Sequence, residues 1–351
     1  MRSCRLFKDG ARVPNEARCK VGLEGFHTGR RHSPAFRSNA AKRRLGLTRD
    51  VPDLQSIAMA RLPPWIRLNM HTDGDFAEVH NLLGDLSLNT VCQDAKCPNI
   101  HECWGRGTAT FMILGNTCTR ACTFCAIASG KPASLDLDEP RRVVEAAQKM
   151  NLTHAVVTSV ARDDLPDGGS VLFAETISAL REGLPTMTLE VLIPDFNGDE
   201  DALGRVLDAG PDVLNHNLET VRRFQSVIRP QAAYGRSLAV LKAAAARRPS
   251  IIPKSGIMLG LGETDDEILE AMKDLRSVGC ELLTLGQYLQ PSRTHATVER
   301  YVSPEEFDRL AGVAEDLGFK GVASGPMVRS SYRADELLLA ARTALLSSCD
   351  S

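Results

Sequence analysis

From Thr108 onward the chain alternates short β-branched runs with longer stretches that carry apolar residues at i, i+3 and i+4. The runs predict strands over Thr110–Leu114, Ala155–Val160, Thr188–Ile193, Asp212–Asn215, Gly256–Leu259 and Leu282–Gly286. The stretches between them predict helices over Pro140–Met150, Val171–Glu182, Asp199–Ala209, Tyr234–Arg247 and Asp265–Val278. Strands alternating with helices imply βαβ units, a parallel sheet and right-handed crossovers. Six or so such units make an α/β partial or complete barrel, with its chemistry at the C-terminal ends of the strands. Ser303-Pro-Glu-Glu306 is a capping box that opens a late helix, with Pro304 at the first helical position.

The segment up to about Arg49 shows no such period. It is rich in Arg and Lys and poor in acids, so residues 1–58 are expected to be disordered. Two origins fit it: a transit peptide, or an over-long start preceding a natural one at Met59. Composition narrows the class further. The 351 residues are 43% hydrophobic and 25% charged, as in an ordinary soluble protein, and a net charge of −2 gives no footing for nucleic acid or a membrane surface. No run approaches the ~18 continuous apolar residues of a membrane span. Without an apolar leader the expected compartment is the reducing cytoplasm, or a mitochondrion or plastid if the first segment is a transit peptide.

In a reducing compartment clustered cysteines are metal ligands rather than disulfides. Six of the ten cysteines fall between Cys92 and Cys125, while Cys4, Cys19, Cys280 and Cys349 are scattered and read as incidental thiols. The later triplet, Cys118-Thr-Arg-Ala-Cys122-Thr-Phe-Cys125, follows the first predicted barrel strand with the spacing C-x₃-C-x₂-C. Three thiolates on one loop can grip three irons of a 4Fe–4S cubane and leave the fourth iron open to a small chelating molecule. Zinc pairs are spaced differently, although a zinc knuckle is the alternative. The earlier triplet, Cys92-Gln-Asp-Ala-Lys-Cys97-Pro-Asn-Ile-His-Glu-Cys103, again supplies three thiolates; His101 is a possible fourth donor to zinc, though cramped against Cys103.

The later triplet resembles that of the radical S-adenosylmethionine (SAM) enzymes. The resemblance implies a partial (β/α)6 barrel and a cluster held by Cys118, Cys122 and Cys125. SAM would bind the open iron and be cleaved by one electron to a radical that abstracts hydrogen. It further implies that Phe124 packs near the adenine and that the Gly168–Gly169 turn receives the SAM amino group. Asn215 and Asn217, at the end of a predicted strand, are candidate SAM contacts.

Both triplets together, in this order, resemble those of the lipoyl synthases from about Leu62 to Leu337. Further matching stretches are Thr158–Gly169, Asn215–Thr220, Lys254–Thr264, Gly286–Ser292 and Gly325-Pro-Met-Val-Arg-Ser-Ser-Tyr332. In that family a serine oxygen of the Arg-Ser-Ser-Tyr motif completes the auxiliary cluster, which maps the ligand set onto Cys92, Cys97, Cys103 and Ser331. Arg333 stands where members commonly carry histidine. The implied division is an extension over 59–107 bearing the auxiliary 4Fe–4S cluster, a core over 108–300 and a C-terminal segment over 301–351. The implied reaction places two sulfur atoms at C6 and C8 of an octanoyl group carried on a lysine. Implied partners are octanoylated carrier domains of 2-oxoacid dehydrogenases, the glycine-cleavage H protein, and an electron donor such as ferredoxin or flavodoxin. A two-cluster methylthiotransferase and a zinc-stabilised binding protein are the alternatives. Lys254 and Gln287 within these stretches, and Arg229 and His295 in family-like sequence beyond them, have no assigned role, and Met258, Leu259 and Leu261 read equally as core or as an acyl-chain wall. Deleting residues 1–58 is expected to leave activity intact, checked by assaying the truncated and full chains side by side.

Overall fold

In the computed structural model the described residues are 62–67, 74–106, 108–247 and 250–347. The disorder expected for residues 1–58 therefore lies outside them. Among the described residues ten strands form in chain order: β1 (Asn89–Thr90), β2 (Thr110–Ile113), β3 (Thr117–Cys118), β4 (Ala128–Ser129), β5 (His154–Ser159), β6 (Thr188–Leu192), β7 (Val213–Asn215), β8 (Ile252–Leu259), β9 (Leu282–Gln287) and β10 (Gly321–Gly325). Eight of them make one sheet in the order β1-β2-β5-β6-β7-β8-β9-β10. Only the β1–β2 pair is antiparallel; every other neighbour is parallel. No pairing joins β1 to β10, so the barrel is open on one side.

Helices Glu139–Lys149, Ser170–Gly183, Glu200–Asp208, Tyr234–Arg247, Asp265–Ser277 and Pro304–Asp316 connect the parallel strands. The expected strands and helices agree with these to within a residue or two at most ends. Both differences at the strands have local causes. β8 starts at Ile252, ahead of the expected Gly256, because Pro253 interrupts the apolar run; it still pairs opposite Leu214 without donating an N–H. The seventh parallel strand, β10, reads Gly-Val-Ala-Ser-Gly and has too few large apolar residues to announce itself. The sheet therefore continues past residue 300, with β10 in full register on β9. The capping box at Ser303 and Glu306 forms as expected, and Thr264 with Glu267 forms a second.

The core falls into two parts in succession, one between β2–β7 and the helices that follow them, the other around β8 and β9 and theirs. Helix Ala334–Ser347 seals the lower end: Leu337, Leu338 and Ala341 pack on Val213, Ile252 and Leu282, the opening or near-opening residues of three neighbouring strands. Within the sheet lies a charged pair. Lys254 Nζ donates to both carboxylate oxygens of Glu190 at 2.9 and 2.8 Å, and neither side chain is exposed. Removing one member of such a pair strands the other charge in the core. Lys254→Met is expected to cost about 3–5 kcal/mol, with Glu190→Leu added to it recovering much of the loss. Thermal unfolding of the two variants beside the parent checks this.

Candidate active site built on two cysteine triplets

The later triplet sits on the loop after β2. β3 and β4 pair to pinch the loop shut, and Gly130 N donates to Cys118 O at 2.9 Å across its base. Its backbone is moored to the far side of the barrel: Thr123 N donates to Ile228 O at 3.0 Å, and Ala121 N to Gln231 Oε1 at 2.7 Å. Buried Arg120 anchors the loop from beneath, 2.8 Å from Asp163 and 2.7 Å from Asp195. Two backbone amides, of Arg120 and Ala161, point at Cys118 Sγ from 3.4 and 3.3 Å. His295 supports the other end of the loop, Nε2 lying 3.0 Å from Cys125 O and Nδ1 2.8 Å from Ser292 Oγ.

The earlier triplet occupies two short helices, Val91–Asp94 and Ile100–Gly105, joined by a turn in which Cys97 N donates to Cys92 O at 3.0 Å. Thr90 caps the first helix through Gln93 N. The second buries Trp104 completely. His101 stacks on Phe76, ring centroids 4.7 Å apart, and is absent from the cavity lining beside the three cysteines, so it is not placed as a fourth ligand with them. The C-terminal loop comes to this site instead. Thr110 Oγ1 donates to Ser331 Oγ at 2.8 Å, Asn99 Nδ2 to Met327 O at 2.7 Å, and Tyr332 OH to Glu102 Oε1 at 2.8 Å. Arg333, where histidine is the familiar residue, adds a 3.3 Å contact to the same Glu102 oxygen. Gly286 on β9 makes room for the loop, since a Cβ there would run into the Val328 carbonyl.

Between the triplets, at the C-terminal ends of the strands, lies a cavity of about 570 Å³. Cys92 and Cys97 line it from one side, Cys118 and Cys125 from the other, and Ser331 is part of its wall. That volume is in the range of a small-molecule site. Among the described residues no three His, Cys, Asp or Glu converge closely enough to hold a single metal ion. Two sets of three thiols suit a polynuclear cluster, in which each thiolate takes a different iron. Arg329 adds to the fit. It lines the cavity close enough to Cys97 to feel its charge, and among the described residues no carboxylate pairs with it. A largely buried cation of that kind suits an anionic neighbour.

The remaining expected residues divide. Phe124 lines the cavity and packs with Ile228, Leu261 and Tyr288. Asn217 lines it as well, donating to Glu219 Oε1 at 3.1 Å and to Ser330 Oγ at 2.5 Å, while its buried Oδ1 has no partner. Asn215 does not reach the cavity; its Nδ2 donates to Glu190 Oε1 at 3.0 Å, beside the Lys254 pair. Gly168 and Gly169 also lie off the lining. Their amides donate to Leu165 O and Asp167 Oδ1, and Gly169, at φ 87°, packs so tightly on Leu114 that only glycine fits. Met258 faces the cavity, whereas Leu259 is core. Gln287 lines the cavity too and ties β9 to Val302 N at 2.8 Å.

Two further cavity groups, Glu219 and Ser159, are not singled out by the sequence, and a third, Arg229, is named there without a role. Glu219 is a non-glycine residue at φ 68°, and burial pushes its carboxyl up against the opposing pull of Arg229. Arg229, whose stretch was noted but not its role, donates to Asn217 O and Leu218 O at 3.0 and 3.1 Å. Ser159 contributes a buried hydroxyl without a partner. For Ser159 and Glu219 the signal is position at or shortly after a strand end, whereas Arg229 follows the short helix Gln225–Ile228. His216 also borders the cavity, but it is spent: Nδ1–H donates to Ile193 O, Nε2 accepts from Ser237, and burial lowers its pKa to about 4.

The family model for the radical SAM superfamily matches residues 112–275. The lipoyl synthase of Symbiobacterium thermophilum is 53% identical over 290 residues, covering 82% of this chain and 91% of that protein. That of Caldanaerobacter subterraneus subsp. tengcongensis is 54% identical over 282 residues, covering 80% and 99%. Among solved structures, the FeFe-hydrogenase maturase HydG from Carboxydothermus hydrogenoformans matches with a TM-score of 0.51 at 13% identity, over 76% of this chain and 60% of that one, a likeness of fold.

Burial, and then repulsion from the neighbouring sulfurs, pushes the Cys92 thiol up to about 11 and Cys103 to about 12; burial does the same for Cys125, to about 12. A thiol raised by folding stabilises the fold below its unfolded value of about 8.5, and that contribution is lost as pH climbs to the folded value. The unfolding temperature of metal-free protein should therefore fall between about pH 8 and pH 11. Cys103→Ser should flatten that fall, as thermal melts across the range will show.

Proposed function

The chain belongs to the lipoyl synthase family, and from that premise we propose how its own residues divide between two 4Fe–4S clusters and SAM. It is a radical SAM enzyme that inserts two sulfur atoms, at C6 and C8, into the octanoyl group of a lipoyl carrier protein to give the lipoyl group. Membership displaces the methylthiotransferase and zinc-protein alternatives. Cys118, Cys122 and Cys125 hold the SAM-binding cluster. Cys92, Cys97, Cys103 and Ser331 hold the auxiliary cluster. When bound, the first of these supplies with SAM the means to abstract hydrogen, and the second supplies sulfur.

The chain's own contribution is placement and shelter. Phe124, Tyr288 and Met258 form an apolar wall on the side of the later triplet. Glu219 and Arg229 offer opposite charges to the ammonium and carboxylate of SAM, and the unpaired Asn217 Oδ1 offers an acceptor. Gly168, Gly169 and Asn215 are left out of that set because none of them lines the cavity. Ser331 is an oxygen donor among soft thiolates, a weaker match to iron and so a replaceable one. Thr110 donates to its oxygen and Ser330 is tied to Asn217, which holds the hydroxyl at the cavity wall.

The observation that carries this division is that cysteines of both triplets and Ser331 line one cavity. The octanoyl chain then lies between the group that abstracts hydrogen and the group that gives sulfur, which proximity requires. Carrier partners proposed more narrowly are the 2-oxoacid dehydrogenase carrier domains and the glycine-cleavage H protein, with ferredoxin or flavodoxin as reductant. The cytoplasm is the proposed location, a reducing compartment where free thiols persist; no helix among the described residues is long and apolar enough to cross a membrane.

Anaerobically reconstituted protein, given SAM, a strong reductant and an octanoyl-lysyl peptide, should hold about eight irons per chain and add two sulfurs to the peptide. Cys103→Ala and Ser331→Ala should still form 5′-deoxyadenosine but add few or no sulfurs, whereas Cys118→Ala should form none. Peptide mass and nucleoside chromatography read both. Sulfur insertion by Cys103→Ala at the parent rate would sink the assignment of the auxiliary site.

A further inference from the structure

The earlier triplet faces two cavities. The large one, shared with the later triplet, is bounded by the C-terminal ends of the strands. A second cavity, of about 160 Å³, lies on the other side of the same cysteines and is bounded by the opposite ends of β2 and β5. Its far wall is the turn Met150–His154 and its rim carries the exposed residues Arg106, Thr153, Arg333 and Asp335. Cys92, Cys97, Arg329 and Ser331 belong to both cavities. Cys103 belongs to the small cavity alone, and Cys118 and Cys125 to the large one alone. The auxiliary site is thus a partition with one face toward the substrate and one toward an opening of its own.

The consequence rests on the sulfur-inserting reading given above. A carrier-borne octanoyl chain in the large cavity would stand between that opening and the earlier triplet. The small cavity stays open, and it is too small for a peptide or a nucleoside. Its rim is polar: Arg106 pairs with Glu336 at 3.0 Å and Arg333 with Glu102 at 3.3 Å, both half-exposed contacts that solvent screens. Arg329 stands at the inner end without a carboxylate partner among the described residues, a fixed positive charge beside Cys97. We propose that this side cavity is a separate port to the auxiliary site, passing ferrous ions and hydrosulfide to and from Cys92, Cys97, Cys103 and Ser331 while the substrate occupies the main cavity. Transit forms no bond to the chain; ions move as hydrated species and are bound only at the thiols.

The port is tested by narrowing its rim with Thr153→Trp, and independently with Asp335→Trp, both outside the proposed ligand sets. Metal-free protein is treated with iodoacetamide in mildly alkaline buffer, and each cysteine is followed by peptide mass spectrometry. In both variants Cys103 should react about tenfold more slowly, with Cys118 and Cys125 unchanged. In the loaded enzyme the first turnover on the octanoyl peptide should match the parent, while reloading of spent protein with ferrous iron and sulfide, followed by iron content, should slow by a similar factor. Unfolding temperatures near the parent's verify that each variant is folded. Parent-rate labelling of Cys103 in both folded variants, or slowing of Cys118 in step with it, would overturn the port. Failure of the unsubstituted enzyme to add sulfur would instead overturn the activity and the proposed cargo, leaving the labelling result to judge access alone.

Discussion

The 2.8 Å hydrogen bond from Thr110 to Ser331 joins residues 221 apart, the start of the first barrel strand and a loop beyond the last. Loop closure across such a span has an entropic cost that grows slowly with length but has to be met by real contacts. Here it is met by several acting together: Asn99 on the Met327 carbonyl, Tyr332 and Arg333 on Glu102, and Asn217 on Ser330. Gly286 contributes by having no side chain where the Val328 carbonyl passes. The open barrel makes the return possible. Because β1 and β10 do not pair, the gap between them can be covered by the earlier triplet's helices and by this loop.

The same loop brings two chemically different sites under one geometry. Asn217 touches Ser330 with one hand and Glu219 with the other, so the auxiliary-site loop and the charged wall near the later triplet share a residue. Around them the framework is stiff. Arg120 is held by two carboxylates, and the Lys254–Glu190 pair, with Asn215, ties three adjacent strands through their side chains. Buried polar networks of this kind rigidify only when their members are satisfied. Asn217 Oδ1 and Ser159 Oγ, on residues lining the cavity, are buried without a partner among the described residues, as is Asn215 Oδ1 beside the Lys254–Glu190 pair.

Much of this was legible before any coordinates. Cysteine spacing set the later triplet apart from zinc pairs, and apolar periodicity located six parallel strands and five of the helices between them. What escaped did so for physical reasons. β10 is built of small residues whose strand character comes from pairing with β9, a tertiary effect that a local pattern does not carry. Asn215 and Asn217 are two apart near one strand end, yet only the second reaches the cavity, the first being drawn to Glu190 by a partnership across the sheet. The Gly168–Gly169 turn is required by backbone conformation and by Leu114, which explains the glycines without a ligand. Ser331 became recognisable only through family resemblance, since nothing in its neighbours distinguishes it from a surface hydroxyl.

The long reach of Ser331 also sets an order of events at the ribosome. The later triplet and its β3–β4 clasp lie within residues 117–130, and its mooring groups extend to residue 295. Ser331, the oxygen proposed for the auxiliary cluster, is made only after the seventh parallel strand. Domains form as their residues emerge, so the nascent chain completes the surroundings of one triplet while the other still lacks its oxygen. A chain terminated between β10 and residue 331 would contain every strand of the sheet and all six clustered cysteines, and yet lack the serine proposed for the auxiliary site.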